Sequence, residues 1–157
     1  MNPCLCGWWR SGVRECRCSD GDVARYQSRI SGPLLDRVDL YVDVPSVDVG
    51  ELRAVGNEES SATVRERVCA ARRRRKLGAA TRLTVAAERT LTRASRTMCL
   101  SARGISRTIG VARTIACLAH GDETGELHIA EALQFRVPSG NLTRQEETEA
   151  PSRADVT

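Results

Sequence analysis

The chain has 157 residues and a formal net charge of +4; 41% of its residues are hydrophobic but only 3% are aromatic, so any core is built mainly from Ala, Val, Leu and Ile. That length suits one domain or two small subdomains, and the mildly basic balance leans toward an anionic partner such as a nucleotide or a nucleic acid. No run of 18 apolar residues exists, and the start "MNPCLCGWWR" lacks a charged region followed by an apolar one, so neither a membrane span nor a secretory leader is expected and the default compartment is the cytoplasm.

Residues 1–27 read as an irregular segment carrying Cys4, Cys6, Cys16 and Cys18 in the pattern C-x-C-x9-C-x-C. In a reducing compartment, paired cysteines favour a metal over a disulfide. Four thiolates at this spacing can close a tetrahedral Zn²⁺ site around a knuckle. Such a site is structural, because four protein ligands leave no open position. The C-x-C spacing is tighter than the common C-x2-C, and a redox pair or free thiols are the other two readings. Cys69, Cys99 and Cys117 fall singly on predicted helices and read as small core residues.

The stretch "SRISGPLLDRVDLYVDVP", Ser28 to Pro45, follows. Gly32-Pro33 is a turn signal, and Leu34-Leu35 packs a short helical turn. Val38, Leu40, Val42 and Val44 then alternate with Asp39, Tyr41 and Asp43, the period-two pattern of a strand with one buried face, and Pro45 ends it. Arg37 is thereby fixed at the strand entrance.

Residues 46–136 read as helical. Ser60-Ser61 cap a helix with Val64, Val68 and Ala71 on one face, and "RRRRK", Arg72 to Lys76, covers its end. A second helix spans about 84–98 with a threonine cap. The third starts after Ser101, carries Ile105, Ile109, Ala112, Ile115 and Leu118, and ends at His120-Gly121. The last, about 125–136, follows a Thr124 cap and carries Leu127, Ala130 and the run from Leu133 to Phe135. From Val137 the chain is polar and aperiodic, which predicts a disordered tail, 137–157, whose "NLT" sequon has no use in the cytoplasm. The architecture is a fragment of α/β structure followed by a small helical bundle.

Lys76 is the only lysine, and it lies in "RRRRKLG". A phosphate loop needs Gly-Lys followed by Ser or Thr, so this sequence holds none. Arg72, Arg73, Arg74, Arg75 and Lys76 read either as a solvated helix face or as a weak DNA contact. They lack interleaved aromatics for base stacking.

Taken together, "MNPCLCG…CRC", "YQSRISGPLLDRVDLYVDVP", "LSARGISRTIGVARTIACLA" and "HIAEALQFR" resemble, in order, the C-terminal part of the ComM/YifB group of magnesium-chelatase-like AAA+ ATPases, from Met1 to about Arg136. The resemblance implies four parts: the sensor 1 strand end with a cysteine-rich insertion (1–27), the finger turn, strand and linker of the AAA+ core (28–58), a mainly α-helical lid (59–136) and the tail. It makes Asn2 the sensor 1 residue near the γ-phosphate or the attacking water. Arg37 of "LLDR" becomes the arginine finger reaching a neighbouring subunit's nucleotide, and Arg103 of "LSAR" the sensor 2 residue. A permanently charged planar fork suits these places, because a transferring phosphoryl group spreads charge over several oxygens. For the complete protein it implies ATP, Mg²⁺, a hexameric homo-oligomeric ring and movement along DNA in branch migration and competence. Plainer roles for the same residues are an ion pair of Arg37 with Asp36 or Asp39, a surface position for Arg103 and an ordinary strand position for Asn2.

The sequence departs from the family in three places. The Walker A and Walker B segments are absent, the stretch between "RRRRKLG" and "LSARG" is shorter, and Leu5 replaces a proline. The expectation is a fragment supplying sensor, finger and lid residues and inactive alone. A zinc-stabilised DNA-binding or interaction module without ATPase activity is the alternative. A regulatory subunit that inserts Arg37 into a full-length partner is a third reading.

Overall fold

The computed structural model describes residues 2–44, 47, 50 and 59–136. Pro45, most of the 46–58 linker and the predicted tail from Val137 lie outside the described residues. Among those described, six helices are formed: α1 (Asp20–Gln27), α2 (Gly32–Leu35), α3 (Ser61–Lys76), α4 (Val85–Thr97), α5 (Ala102–Leu118) and α6 (Glu126–Gln134).

Local chemistry sets most of their ends. Ser60, Thr84 and Ser101 each accept a hydrogen bond from the backbone N–H three residues on, which satisfies a donor the first helical turn leaves open. Helix α5 stops in a Schellman arrangement, with His120 N–H bonded to Cys117 O and Gly121 N–H to Ala116 O. His120 takes the left-handed conformation (φ 59°). Gly121 sits where an added Cβ would meet Ala116 O at 3.4 Å.

The helical part is held by two apolar clusters. Ala87, Leu91, Ala112, Ile129 and Ala132 form one, with Ile105, Ile109 and Ile115 against it; Ala71, Ala80, Ala116 and Cys117 form the other. Helix α5 is central, packing on α3 and on α6, while α4 packs on α6. The two loops between helices are joined by a parallel bridge, Leu83 to Thr124, and by Ala80 N–H to Asp122 O at 2.8 Å. Of the stripe predicted for α5, Ala112, Ile105, Ile109 and Ile115 join the first cluster, while Leu118 packs against the second; the alanines let helix backbones approach closely.

Several expectations are corrected. Residues 20–27 are a helix: Ser19 Oγ accepts from Asp22 N–H, and the Asp22 carboxylate accepts from Ser19 N–H, a capping box. Thr124 does not cap α6. It is buried with its hydroxyl donating to Ala80 O, and Gly125 takes the cap position with its N–H donating to His128 Nδ1. The inward stripe of α6 is Ile129 and Ala132, with the expected Leu133 against the same cluster, while Leu127 is 81% exposed and Ala130 is exposed. Cys69 and Cys99 are exposed; of the three helical cysteines only Cys117 is in the core. Residues 38–44 form no strand. Leu40, Val42 and Val44 stay exposed, because no neighbouring strand among the described residues offers the ladder that would bury the alternating face.

Candidate metal centre and arginine site

The cysteine segment is folded around its thiols. Cys4 Sγ lies 3.4 Å from Cys6 Sγ and 3.7 Å from Cys16 Sγ, and Cys6 and Cys16 are 3.5 Å apart. With Cys18, all four sulfurs fall within 4.8 Å of one another, and none is in a disulfide. Zn–S bonds of about 2.3 Å in a tetrahedron place sulfurs about 3.8 Å apart, so the donor set and its spacing fit a tetrathiolate zinc site. Gly7 (φ 83°) allows the first knuckle turn, closed by Gly7 N–H to Cys4 O at 3.2 Å. Helix α1 props the segment from outside: Val23 and Gln27 are buried, and Gln27 Nε2 donates to Pro3 O at 3.1 Å.

The thiols do not ionise alike. The N–H groups of Trp8 and Arg17, aimed at Cys6 Sγ, bring it down to about 6. Burial pushes Cys4 up, but the N–H of Trp9 and the Cys16 and Gly7 donors outweigh it, and Cys4 also ends below the usual thiol value. At Cys16 the N–H of Cys18 pulls down, yet desolvation and the negative charge at Cys6 and Cys4 drive the group up to about 12. Cys18 is raised as well: the Cys6 N–H is overcome by desolvation and by Cys6 and Cys4. Crowded sulfurs diverge in this way because each thiolate disfavours the ionisation of its neighbours; a divalent ion would remove that penalty.

Arg37 follows α2, its N–H bonded to Leu34 O, and its side chain is exposed. No hydrogen bond or ion pair among the described residues engages its guanidinium. The backbone beyond it is pinned to the helical part. Arg107 Nη1 bonds both carboxylate oxygens of Asp39 at 2.9 and 3.2 Å, Arg136 Nη1 donates to Val38 O at 3.0 Å, and Tyr41 N–H donates to Phe135 O at 3.0 Å. Tyr41 Oη closes the turn by donating to Leu35 O at 2.9 Å. Asp39, one of the two carboxylates weighed as a partner for Arg37, is thus taken by Arg107.

Arg103 is exposed near the start of α5, one turn before Arg107, and Asn2 is exposed beside the first knuckle. No hydrogen bond or ion pair among the described residues joins Asn2, Arg37 and Arg103 to one another. The basic run divides. Arg74 Nη2 donates to His120 O, Gly121 O and the Asp122 carboxylate, satisfying carbonyls at the end of α5, and Arg75 donates to Thr114 Oγ1. Arg72, Arg73 and Lys76 remain exposed on α3, lining an open groove of about 590 Å³ with Arg75 and Cys69.

Sequence reasoning missed Arg107 and Arg136. The signal for Arg107 was its position one turn beyond Arg103 on the same predicted helix. Arg136 gave no signal: it is buried, with Nε and Nη2 lacking a partner among the described residues. No helix of the described residues is long and apolar enough to cross a membrane.

Comparison with known proteins adds the following. A family model described as magnesium chelatase, subunit ChlI, matches residues 1–52, and the model of the C-terminal part of that subunit matches residues 73–136. The chain is 35% identical over 151 residues to the competence protein ComM of Haemophilus influenzae and 35% identical over 155 residues to YifB of Escherichia coli, covering 87% of this chain and 29% of each relative. It is 36% identical over 153 residues to a protein of Mycobacterium tuberculosis, covering 86% of this chain and 30% of the relative. The chain thus spans about 30% of the length of the curated relatives it matches.

Proposed function

The chain belongs to the ComM/YifB family of magnesium-chelatase-like proteins, and on that premise we propose that it supplies the sensor, arginine-finger and lid residues of an ATP-hydrolysing, DNA-handling ring. The observation that carries this reading is Arg37: an exposed guanidinium with no partner among the described residues, on a backbone pinned to the helical part by Arg107, Arg136 and Phe135. A finger needs both properties. It must be free to leave its own subunit and held so that the reach costs little ordering entropy. In this reading Arg37 meets the γ-phosphate of ATP on the next subunit of a cytoplasmic hexamer. Arg103 meets the phosphates of its own subunit from the lid, and Asn2 orients the attacking water. Mg-ATP is held by phosphate-loop and acidic residues that this sequence does not contain, so the chain alone turns over no ATP. The direct test joins the part of the E. coli relative that this chain does not match to this chain. ATP turnover by the joined protein and none by the chain alone is expected; turnover by the chain alone, abolished by Arg37→Ala, would overturn it.

The cysteine geometry favours a second element. Cys4, Cys6, Cys16 and Cys18 hold one structural Zn²⁺, which supplies charge neutralisation and a cross-link but no open coordination position. Without the ATPase core, the same zinc-stabilised chain remains an interaction or DNA-binding module using Arg72, Arg73 and Lys76, since Arg74 and Arg75 are engaged in the fold.

A further inference from the structure

Both tryptophans of the chain, Trp8 and Trp9, lie between the two cysteine pairs together with Arg10 and Arg14, and Arg17 stands between the cysteines of the second pair. Arg10 stacks over the Trp9 ring at 4.5 Å, and Arg14 stands 5.8 Å from the centre of Trp8. Trp8 is 37% exposed, flanked by exposed Leu5 and Val13, and Arg10, Arg14 and Arg17 are exposed with Glu15 as the only carboxylate from residue 2 to residue 18. The loop is shaped by local bonds. Ser11 N–H donates to Trp8 O at 3.1 Å, Ser11 Oγ donates to Arg14 O at 3.4 Å, and Gly12 adopts φ 67°. Large apolar rings are normally buried or engaged. Here Trp8 stays exposed and Trp9 half-buried under Arg10, on a scaffold fixed at both ends by cysteines and bordered by planar cations.

We propose that this loop, residues 7–17, binds single-stranded nucleic acid, an unpaired base stacking on Trp8 while phosphates meet Arg10, Arg14 and Arg17. Aromatic faces interleaved with arginine are the chemistry that holds single strands with little sequence preference. A duplex keeps its bases stacked inside and offers Trp8 nothing. An acidic peptide would engage the arginines but leave the exposed indole without a role. Nothing in the loop reads a 2′-hydroxyl, so DNA and RNA strands are held alike. This surface is separate from α3, and the inference does not depend on ATP hydrolysis.

The test uses the full chain and its own fluorescence, which comes from these two indoles. Titration with a short oligothymidylate at low salt should quench the emission saturably. Affinity should fall as salt rises, and oligouridylate should match it. With labelled oligonucleotide, Trp8→Ala should weaken binding by about fivefold or more and Trp8→Phe much less. The Arg14→Ala, Arg17→Ala double variant should flatten the salt dependence, and it decides the matter if Trp8→Ala does not fold. Absence of binding at low salt, tighter binding to duplex, unchanged affinity in the loop variants, or loss only when Arg72, Arg73 and Lys76 are replaced would each overturn the proposal.

Discussion

The guanidinium of Arg107 bonds the carboxylate of Asp39 at 2.9 Å across 68 positions of sequence. Asp39 is two residues beyond Arg37, and Arg107 is one turn beyond Arg103. One ion pair therefore ties the backbone of the proposed finger to the helix of the proposed lid sensor. Its two side chains are 47% and 54% exposed, so solvent screens it. A double-mutant cycle of Asp39→Ala and Arg107→Ala, read by urea unfolding, should give a coupling of roughly 0.2–1 kcal/mol that shrinks with added salt. A coupling of zero would mean that the pair does not stabilise the tie between the two segments.

The register of α6 separates two apolar residues two positions apart. Ile129 is fully buried and Leu127 is 81% exposed. Ile129→Ala should cost about 2–5 kcal/mol of unfolding free energy, whereas Leu127→Ala should stay within about 0.5 kcal/mol. The reverse order would restore the stripe of Leu127 and Ala130 expected from the sequence.

The Asp22 carboxyl is held below the usual carboxylate value by the Ser19 hydroxyl first and by the Ser19 N–H second. A depressed folded-state value means that the contribution is complete above the unfolded value near pH ~4 and is lost as pH falls through the lower folded value. Protection against hydrogen exchange along Asp20–Gln27, relative to the intrinsic rate at each pH, should therefore fall only in acid below that range. Asp22→Asn should make that protection independent of pH there and lower at neutral pH.

One zinc per chain is expected by elemental analysis, removable by a strong chelator and lost in Cys4→Ser or Cys16→Ser. Cys69→Ser and Cys99→Ser, whose thiols are exposed elsewhere, should keep full stoichiometry. Since α1 is anchored to the cysteine segment through Gln27 and Pro3, chelation should also loosen α1 while leaving the α4–α6 cluster intact.

What was legible in the sequence was local. Ser60, Thr84 and Ser101 announce helix starts because a hydroxyl three residues before an open N–H is a short-range event. The cysteine pairs announce a cluster because each C-x-C fixes its own knuckle. Features that depend on distant partners were not legible. Period-two alternation from Val38 to Val44 tells which side chains share a face, but not whether a neighbouring strand is there to cover it. Arg74 and Arg75 look like part of a uniform basic run, and only the placement of Asp122 and Thr114 shows that they are engaged. Within α6, Leu127 and Ala130 are spaced as well as Ile129 and Ala132, and the choice is made by α4 and α5 packing against it.

The most direct test of the central claim is ATP turnover by this chain joined to the part of the E. coli relative that it does not match, with Arg37 intact or replaced by alanine. A finger predicts a loss of about 10³–10⁵ in turnover with the assembly preserved. Turnover unchanged by Arg37→Ala in an assembled ring would contradict the account.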